Sequence, residues 1–82
     1  MIAKTIDLTI AKLEAPVFAG KALFVTVPGS EGEMTILPEH TALISALRPG
    51  TITIRKEDGS DENIVVEKGV MEVSKSTVTI LL

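Results

Sequence analysis

From its second residue the chain alternates apolar and polar side chains with a period of two. Ile2, Lys4, Ile6, Leu8 and Ile10 share one face, and Thr5, Asp7 and Thr9 take the other. That period belongs to a half-buried β-strand with one wet side. Ala15-Pro16 interrupts the pattern and Ala19-Gly20 marks a turn. Lys21 to Val27 reads as the next strand, with Leu23, Val25 and Val27 facing one way, and Pro28-Gly29 ends it. Glu33 to Leu37 is a short strand. In Thr41 to Leu47 the residues Leu43, Ile44 and Leu47 have helical spacing, but the segment is too short for a stable solitary helix. A strand is therefore expected there, ended by Arg48-Pro49-Gly50. Proline then glycine suits a type II turn, with positive φ at Gly50.

The second half of the chain is plainer. Thr51-Ile52-Thr53-Ile54 is β-branched throughout and suits a pleated surface. Asp58-Gly59 signals a hairpin with a return strand from Asn63 to Glu67. Lys68-Gly69 turns into Val70 to Val73, and Lys75-Ser76 turns into Thr77 to Leu82. Short strands at close spacing predict an all-β fold, an antiparallel β-sandwich or flattened barrel, in one domain over residues 1–82. The apolar Ile80-Leu81-Leu82 is unusual for an end, since such ends are usually polar and frayed. Either this strand is locked into the sheet or the chain is part of something longer.

Composition narrows the function. With 82 residues the core is modest, and no cysteine is present to reinforce it. The chain is 45% hydrophobic yet has two Phe and no Trp or Tyr, so Ile, Val and Leu must do the packing. A net charge of −3 argues against nucleic acid, as does the lack of stacking aromatics. No apolar run is long enough for a membrane span and no signal peptide is visible, which makes the cytoplasm the default compartment.

Catalytic signatures are missing. The single histidine, His40, has no triad partners in the sequence, and no Gly-x-Ser-x-Gly elbow occurs. One histidine without cysteine cannot supply the usual zinc ligands. Asp58, Asp61 and Glu62 surround Gly59 in an order that does not match a calcium loop, so a solvated hairpin tip explains them better. The loop Gly29-Ser30-Glu31-Gly32-Glu33 carries two carboxylates, which would repel phosphate. It suits a basic partner, or it is an ordinary turn with two solvated glutamates. No catalytic residue, metal or cofactor is therefore assigned, and a binding or assembly module is favoured over an enzyme.

Several landmarks together resemble the N-terminal β-sandwich domain of the ε subunit of F-type ATP synthase, called δ in mitochondria. Leu8-Thr9-Ile10 with Val17-Phe18-Ala19-Gly20 resembles the opening strand and its Phe-x-Gly turn. Gly29 to Glu33 resembles the glycine-acid loop, and Leu37-Pro38-Glu39-His40-Thr41-Ala42-Leu43 the Pro-x-His segment. Leu47-Arg48-Pro49-Gly50 resembles the Lys/Arg-Pro-Gly turn, followed by the Ile52 to Val66 hairpin and Gly69-Val70-Met71-Glu72-Val73. Each motif is weak alone, but their order and spacing are specific.

The resemblance implies a sandwich of about ten short strands at the foot of the rotating central stalk. It implies a non-catalytic subunit that binds γ and rests on the c-ring, with the α/β hexamer an indirect partner, coupling proton-driven rotation to ATP synthesis. By position, Gly29, Ser30, Glu31, Gly32 and Glu33 would face the polar loops of the c-ring, and His40, Thr41 and Ala42 would meet γ. The location implied is peripheral, in the F1 sector at the cytoplasmic face of a bacterial plasma membrane, reaching the membrane only through the complex. A matching aliphatic patch should make the free domain self-associate weakly. The family commonly has glycine at Thr35 and a glycine pair at Lys68-Gly69. Many members also continue into a C-terminal helical hairpin to which nothing here corresponds, so neither self-inhibition nor a regulatory nucleotide site is expected. The competing readings are a free-standing β-sandwich module for a small ligand or peptide, and a hydrolase using His40.

Overall fold

The computed structural model describes residues 4–82. The reading of Ile2 therefore lies outside the described residues. The strands are β1 (Ile6–Lys12), β2 (Ala15–Gly29), β3 (Gly32–Ile36), β4 (His40–Leu47), β5 (Gly50–Lys56), β6 (Asp61–Val66), β7 (Gly69–Lys75) and β8 (Thr77–Leu81). Among the described residues there is no helix, and the all-β fold follows the sequence reading. The strands are fewer than the resemblance implies because β2 is continuous over 15 residues.

β2 belongs to two sheets. Its first half pairs with β1, and its second half pairs with β3 and β5. One sheet thus runs β4-β7-β8-β1-β2, and the other runs β3-β2-β5-β6. A single bridge, Gly29 with Leu47, also ties the end of β2 to β4. All the strand pairs are antiparallel except β1 with β8, which is parallel.

The inward positions form one aliphatic cluster. Ile6, Leu8 and Ile10 of β1 meet Val25 and Val27 of β2, Ile36, Ile52, Ile54, Met71, Val73, Val78 and Ile80. Burying each such side chain contributes about 1.5–3 kcal/mol. None of the buried side chains among the described residues is polar. Ile80 is fully buried, so the apolar tail is locked into the sheet between β1 and β7.

Several sequence expectations change. Lys4, read as inward, is exposed and precedes the first strand. The interruption read at Ala15-Pro16 follows a turn at Leu13-Glu14, and Pro16 itself lies in β2, opposite Ala11 at a register shift where a missing N–H is tolerated. Ala19-Gly20 is not a turn either; both residues lie inside β2. Leu23 is only half-buried and Ala22 takes the inward place, because the pairing with β5 slips between Ala22 and Phe24 and reverses the alternation.

Gly50 does not have the positive φ of a type II turn. Its need for glycine is steric: a Cβ there would lie 2.7 Å from Pro28 Cβ. The Asp58-Gly59 hairpin forms as read. Gly59 has φ 88°, and Asp58 Oδ1 accepts from the Ser60 N–H at 2.8 Å. Next to it Arg55 pairs with Asp61 and lies 5.1 Å over the Phe24 ring. The Ser60 hydroxyl and N–H hold the Asp58 carboxyl below its ordinary value, and the Arg55 guanidinium does the same to Asp61.

Gly50→Ala should cost about 1–3 kcal/mol in urea unfolding, through overpacking against Pro28. Gly20→Ala should be neutral or stabilising, since its Cβ would meet only Phe18 at 3.8 Å. A comparable loss at both would mean that Gly20 also has a strained or crowded backbone. Depressed carboxyl pKa values give stability that is present above the unfolded value of 3.8 and is lost as pH falls through the folded one. Stability should therefore drop as acid is added below that value, and Asp61→Asn should flatten the drop.

Candidate functional site

The acidic loop is the tip of the β2–β3 hairpin. Gly29 pairs with Gly32, leaving Ser30-Glu31 as the turn. The two glycines have different physical roles. At Gly29, a Cβ would lie 2.7 Å from the Gly32 carbonyl oxygen and 2.7 Å from Met34 Cε. Gly32 instead has open space and φ 139°, a conformation that side chains resist. Gly29 is itself buried, so the groups the loop offers outward are Ser30, Glu31 and Glu33. Neither glutamate belongs to an ion pair among the described residues. Both carboxylates are thus exposed and unpaired among the described residues. Behind them, Thr35 replaces its expected glycine without strain, its hydroxyl 3.0 Å from that of Thr26 on the neighbouring strand.

His40, Thr41 and Ala42 open β4. His40 is half-buried, while Thr41 and Ala42 are exposed. His40 Nδ1 lies 2.8 Å from the Thr41 carbonyl oxygen, which can only accept. Nδ1 is therefore the donor in this contact, and Nε2 makes no hydrogen bond among the described residues. Just before it, Glu39 has φ 62°, left-handed and uncommon for a residue with a side chain. Its carboxylate meets Lys4, with Nζ 3.1 Å from Oε2, and its N–H donates to Ser76 Oγ at 3.0 Å. A left-handed residue of this kind costs about 1–2 kcal/mol, which those contacts must offset.

β4 joins the two predicted contacts. It starts at His40, and at its other end the Ala46 carbonyl accepts from the Ser30 N–H of the acidic loop at 2.9 Å. Ser45 also lines a recess of about 150 Å³ beside Ser30, Glu31 and Glu33. From Ala42 to Ala46 the strand spans about 14 Å at the usual rise.

A surface that residue-by-residue reading missed lies on the outer side of the larger sheet. The register aligns Ala46, Val70, Leu81, Ala11 and Pro16 in one row across five strands. Ile44, one step along β4, is 72% exposed. Ile44 belongs to the next row, with Glu72, Thr79, Thr9 and Ala19, and the row beyond holds Ser74, Thr77, Asp7 and Lys21. The face thus grades from apolar to charged. Alternation within each strand was the available signal, but the row becomes visible only once the strand order is known.

Fold and surface together define a small β-sandwich domain that offers an acidic hairpin and an apolar sheet face. Residues 5–82 match the model of the ATP synthase, Delta/Epsilon chain, beta-sandwich domain, and the chain belongs to that family. It is 49% identical over 77 residues to the ATP synthase epsilon chain of Bordetella petrii, covering 94% of this chain and 55% of that protein. The Bordetella avium epsilon chain is 46% identical over the same length and share. The chain thus spans about half the length of the curated relatives it matches. A chain in the cryo-EM structure of the Euglena gracilis mitochondrial ATP synthase OSCP/F1/c-ring superposes with TM-score 0.88 at 25% identity, covering 94% of this chain and 49% of that one. A chain in the Tetrahymena thermophila central stalk/c-ring structure shares the fold, with TM-score 0.78 at 16% identity, covering 99% of this chain and 65% of that one.

Gly32→Ala should lower stability by about 1–3 kcal/mol in urea unfolding, because its backbone must then hold a side chain at φ 139°. Glu31→Gln should leave stability within about 0.5 kcal/mol of the parent. A large loss for Glu31→Gln would mean that its carboxylate has an internal partner.

Proposed function

We propose that this domain is a non-catalytic rotor element of F-type ATP synthase, binding γ through one surface and the c-ring through another. The observation that carries this reading is the course of β4, whose first residues are those expected at γ and whose last are hydrogen-bonded to the acidic loop expected at the ring. From Leu43 to Leu47 the strand is paired residue by residue with β7, and at Leu47 it is bridged to Gly29 of β2. That stretch would carry load from the acidic loop toward the start of β4, where His40 is paired with Lys75. In this reading the subunit's contribution is mechanical: it fastens γ to the ring so that proton-driven rotation becomes ATP synthesis in the α/β hexamer.

The acidic loop supports the ring contact through charge. Glu31 and Glu33, with no internal partner among the described residues, would meet basic polar loops of the c subunits. The apolar row from Ala46 to Pro16, flanked by Ile44, supplies the kind of surface that γ would cover. The domain would sit peripherally, in the F1 sector at the cytoplasmic face of a bacterial membrane. No helix lies among the described residues, so an inhibitory helical hairpin is not part of this stretch. The small-ligand alternative is weaker: the recess of about 570 Å³ along Ala42, Leu43, Ile44, Glu72, Val73 and Ser74 is a shallow opening on the sheet surface and not an enclosing cleft.

Size-exclusion chromatography with an ε-depleted α/β/γ assembly, and with the same assembly lacking γ, tests the reading. Co-elution should occur only when γ is present. Binding in neither case would leave a free-standing module as the better description. For the ring, the Glu31→Gln, Glu33→Gln double variant should bind isolated c-ring several-fold more weakly at low salt, and the difference should shrink near molar salt. Equal binding of parent and variant at low salt would exclude the acidic loop as the contact.

A further inference from the structure

We propose that Ser76 and Lys4 are positioning residues that present His40, Thr41 and Ala42 to γ; this rests on the reading of those residues as the γ contact. Only two residues other than glycine have positive φ among those described, Glu39 at 62° and Lys75 at 53°. They meet at one corner of the larger sheet, because His40 pairs with Lys75. Backbone strain of this kind persists only where surrounding groups over-determine it, and it concentrates at contact sites.

Ser76 ties that corner together. Its hydroxyl accepts from the Glu39 N–H at 3.0 Å, and its carbonyl accepts from the Asp7 N–H at 2.7 Å. The turn before β4 is thereby fixed to the start of β1. Lys4 adds a second tie, with Nζ 3.1 Å from both carboxylate oxygens of Glu39. The dihedral angles of Glu39 set the direction in which His40 leaves the Pro38 turn. Further along, the pairing of β4 with β7 slips between His40 and Leu43, so the ladder does not fix Thr41 and Ala42. The orientation of the three contact residues thus depends on this corner more than on the sheet.

A glycine would take positive φ without strain. The glutamate supplies a carboxylate that Lys4 can grip. That pair is 72% and 66% exposed, and exposed pairs add little to stability. Its effect should therefore appear in affinity and not in unfolding. This split separates a positioning role from a structural one.

The experiment measures binding of the 82-residue chain to the ε-depleted α/β/γ assembly, with urea unfolding of each variant alongside. His40→Ala should weaken binding about tenfold or more, as loss of a central contact does. Ser76→Ala should weaken it about fivefold, the worth of one well-placed hydrogen bond. Lys4→Ala should weaken it about twofold to threefold, with Lys4→Arg restoring the parent affinity. Glu39→Gly should lower affinity several-fold while the unfolding midpoint holds or rises, because preorganisation is lost and strain is relieved. If Ser76→Ala does not fold, Glu39→Gly and the Lys4 pair carry the test. Parent-like affinity for Ser76→Ala, Lys4→Ala and Glu39→Gly beside a weakened His40→Ala overturns the positioning role and leaves the γ contact standing. Parent-like binding by His40→Ala, or no binding by the parent chain, removes the γ contact itself and the positioning role with it.

Discussion

Fifteen consecutive residues of extended backbone, Ala15–Gly29, are hydrogen-bonded to β1, β3, β4 and β5. A chain with only two phenylalanines cannot close a core with large rings, so it must bring many aliphatic side chains together instead. β2 achieves this by leaving one sheet and entering the other, with the slip at Leu23 marking the change. Ala22, Val25 and Val27 then face the inward residues of both sheets. Near its end the strand becomes crowded. Gly29 approaches the Gly32 carbonyl, Gly50 approaches Pro28, and neither position has room for a methyl group.

That crowded end is also where the acidic loop begins. The steric demand that fixes Gly29 and Gly50 therefore fixes the base from which Ser30, Glu31 and Glu33 project. The hydrogen bond from Ser30 to Ala46 carries the same rigidity into β4. Packing and presentation are thus served by the same few residues. The opposite end of β4 is organised differently. There, hydrogen bonds from turn residues and an exposed ion pair hold an unfavourable backbone angle in place.

Much of this was legible in the sequence where one residue's chemistry decides its own conformation. The alternation of β1, the β-branched run of β5 and the Asp58-Gly59 turn all read correctly because each signal is local. The β4 segment also resolved correctly as a strand, despite the helical spacing of Leu43, Ile44 and Leu47. What failed depended on distant partners. Gly20 resembles a turn glycine until β1 is seen beside it. Gly50 resembles a type II turn residue until Pro28 is seen against it. The inward place of Ala22 needed the slip against β5, and the parallel course of β8 beside β1 leaves no periodic trace. The candidate site was legible in the same uneven way. Its acidic loop and its histidine stand out as residues, whereas the left-handed Glu39, its tie to Ser76 and the apolar row require the assembled sheet.

The parallel pairing of β1 with β8 has a consequence for the order of events during synthesis. Asp7 pairs with Thr77, seventy positions later. β1 can form a local hairpin with β2 as soon as both leave the ribosome, yet its other edge stays bare until nearly the whole domain has been made. That edge is flanked by Ile6, Leu8 and Ile10, and an unpaired apolar edge invites pairing with other nascent chains. Insertion of the last strand between the first and the seventh closes it. The domain's vulnerability to misassembly is therefore concentrated in the interval before β8 emerges, and conditions that slow translation ahead of Thr77 lengthen it.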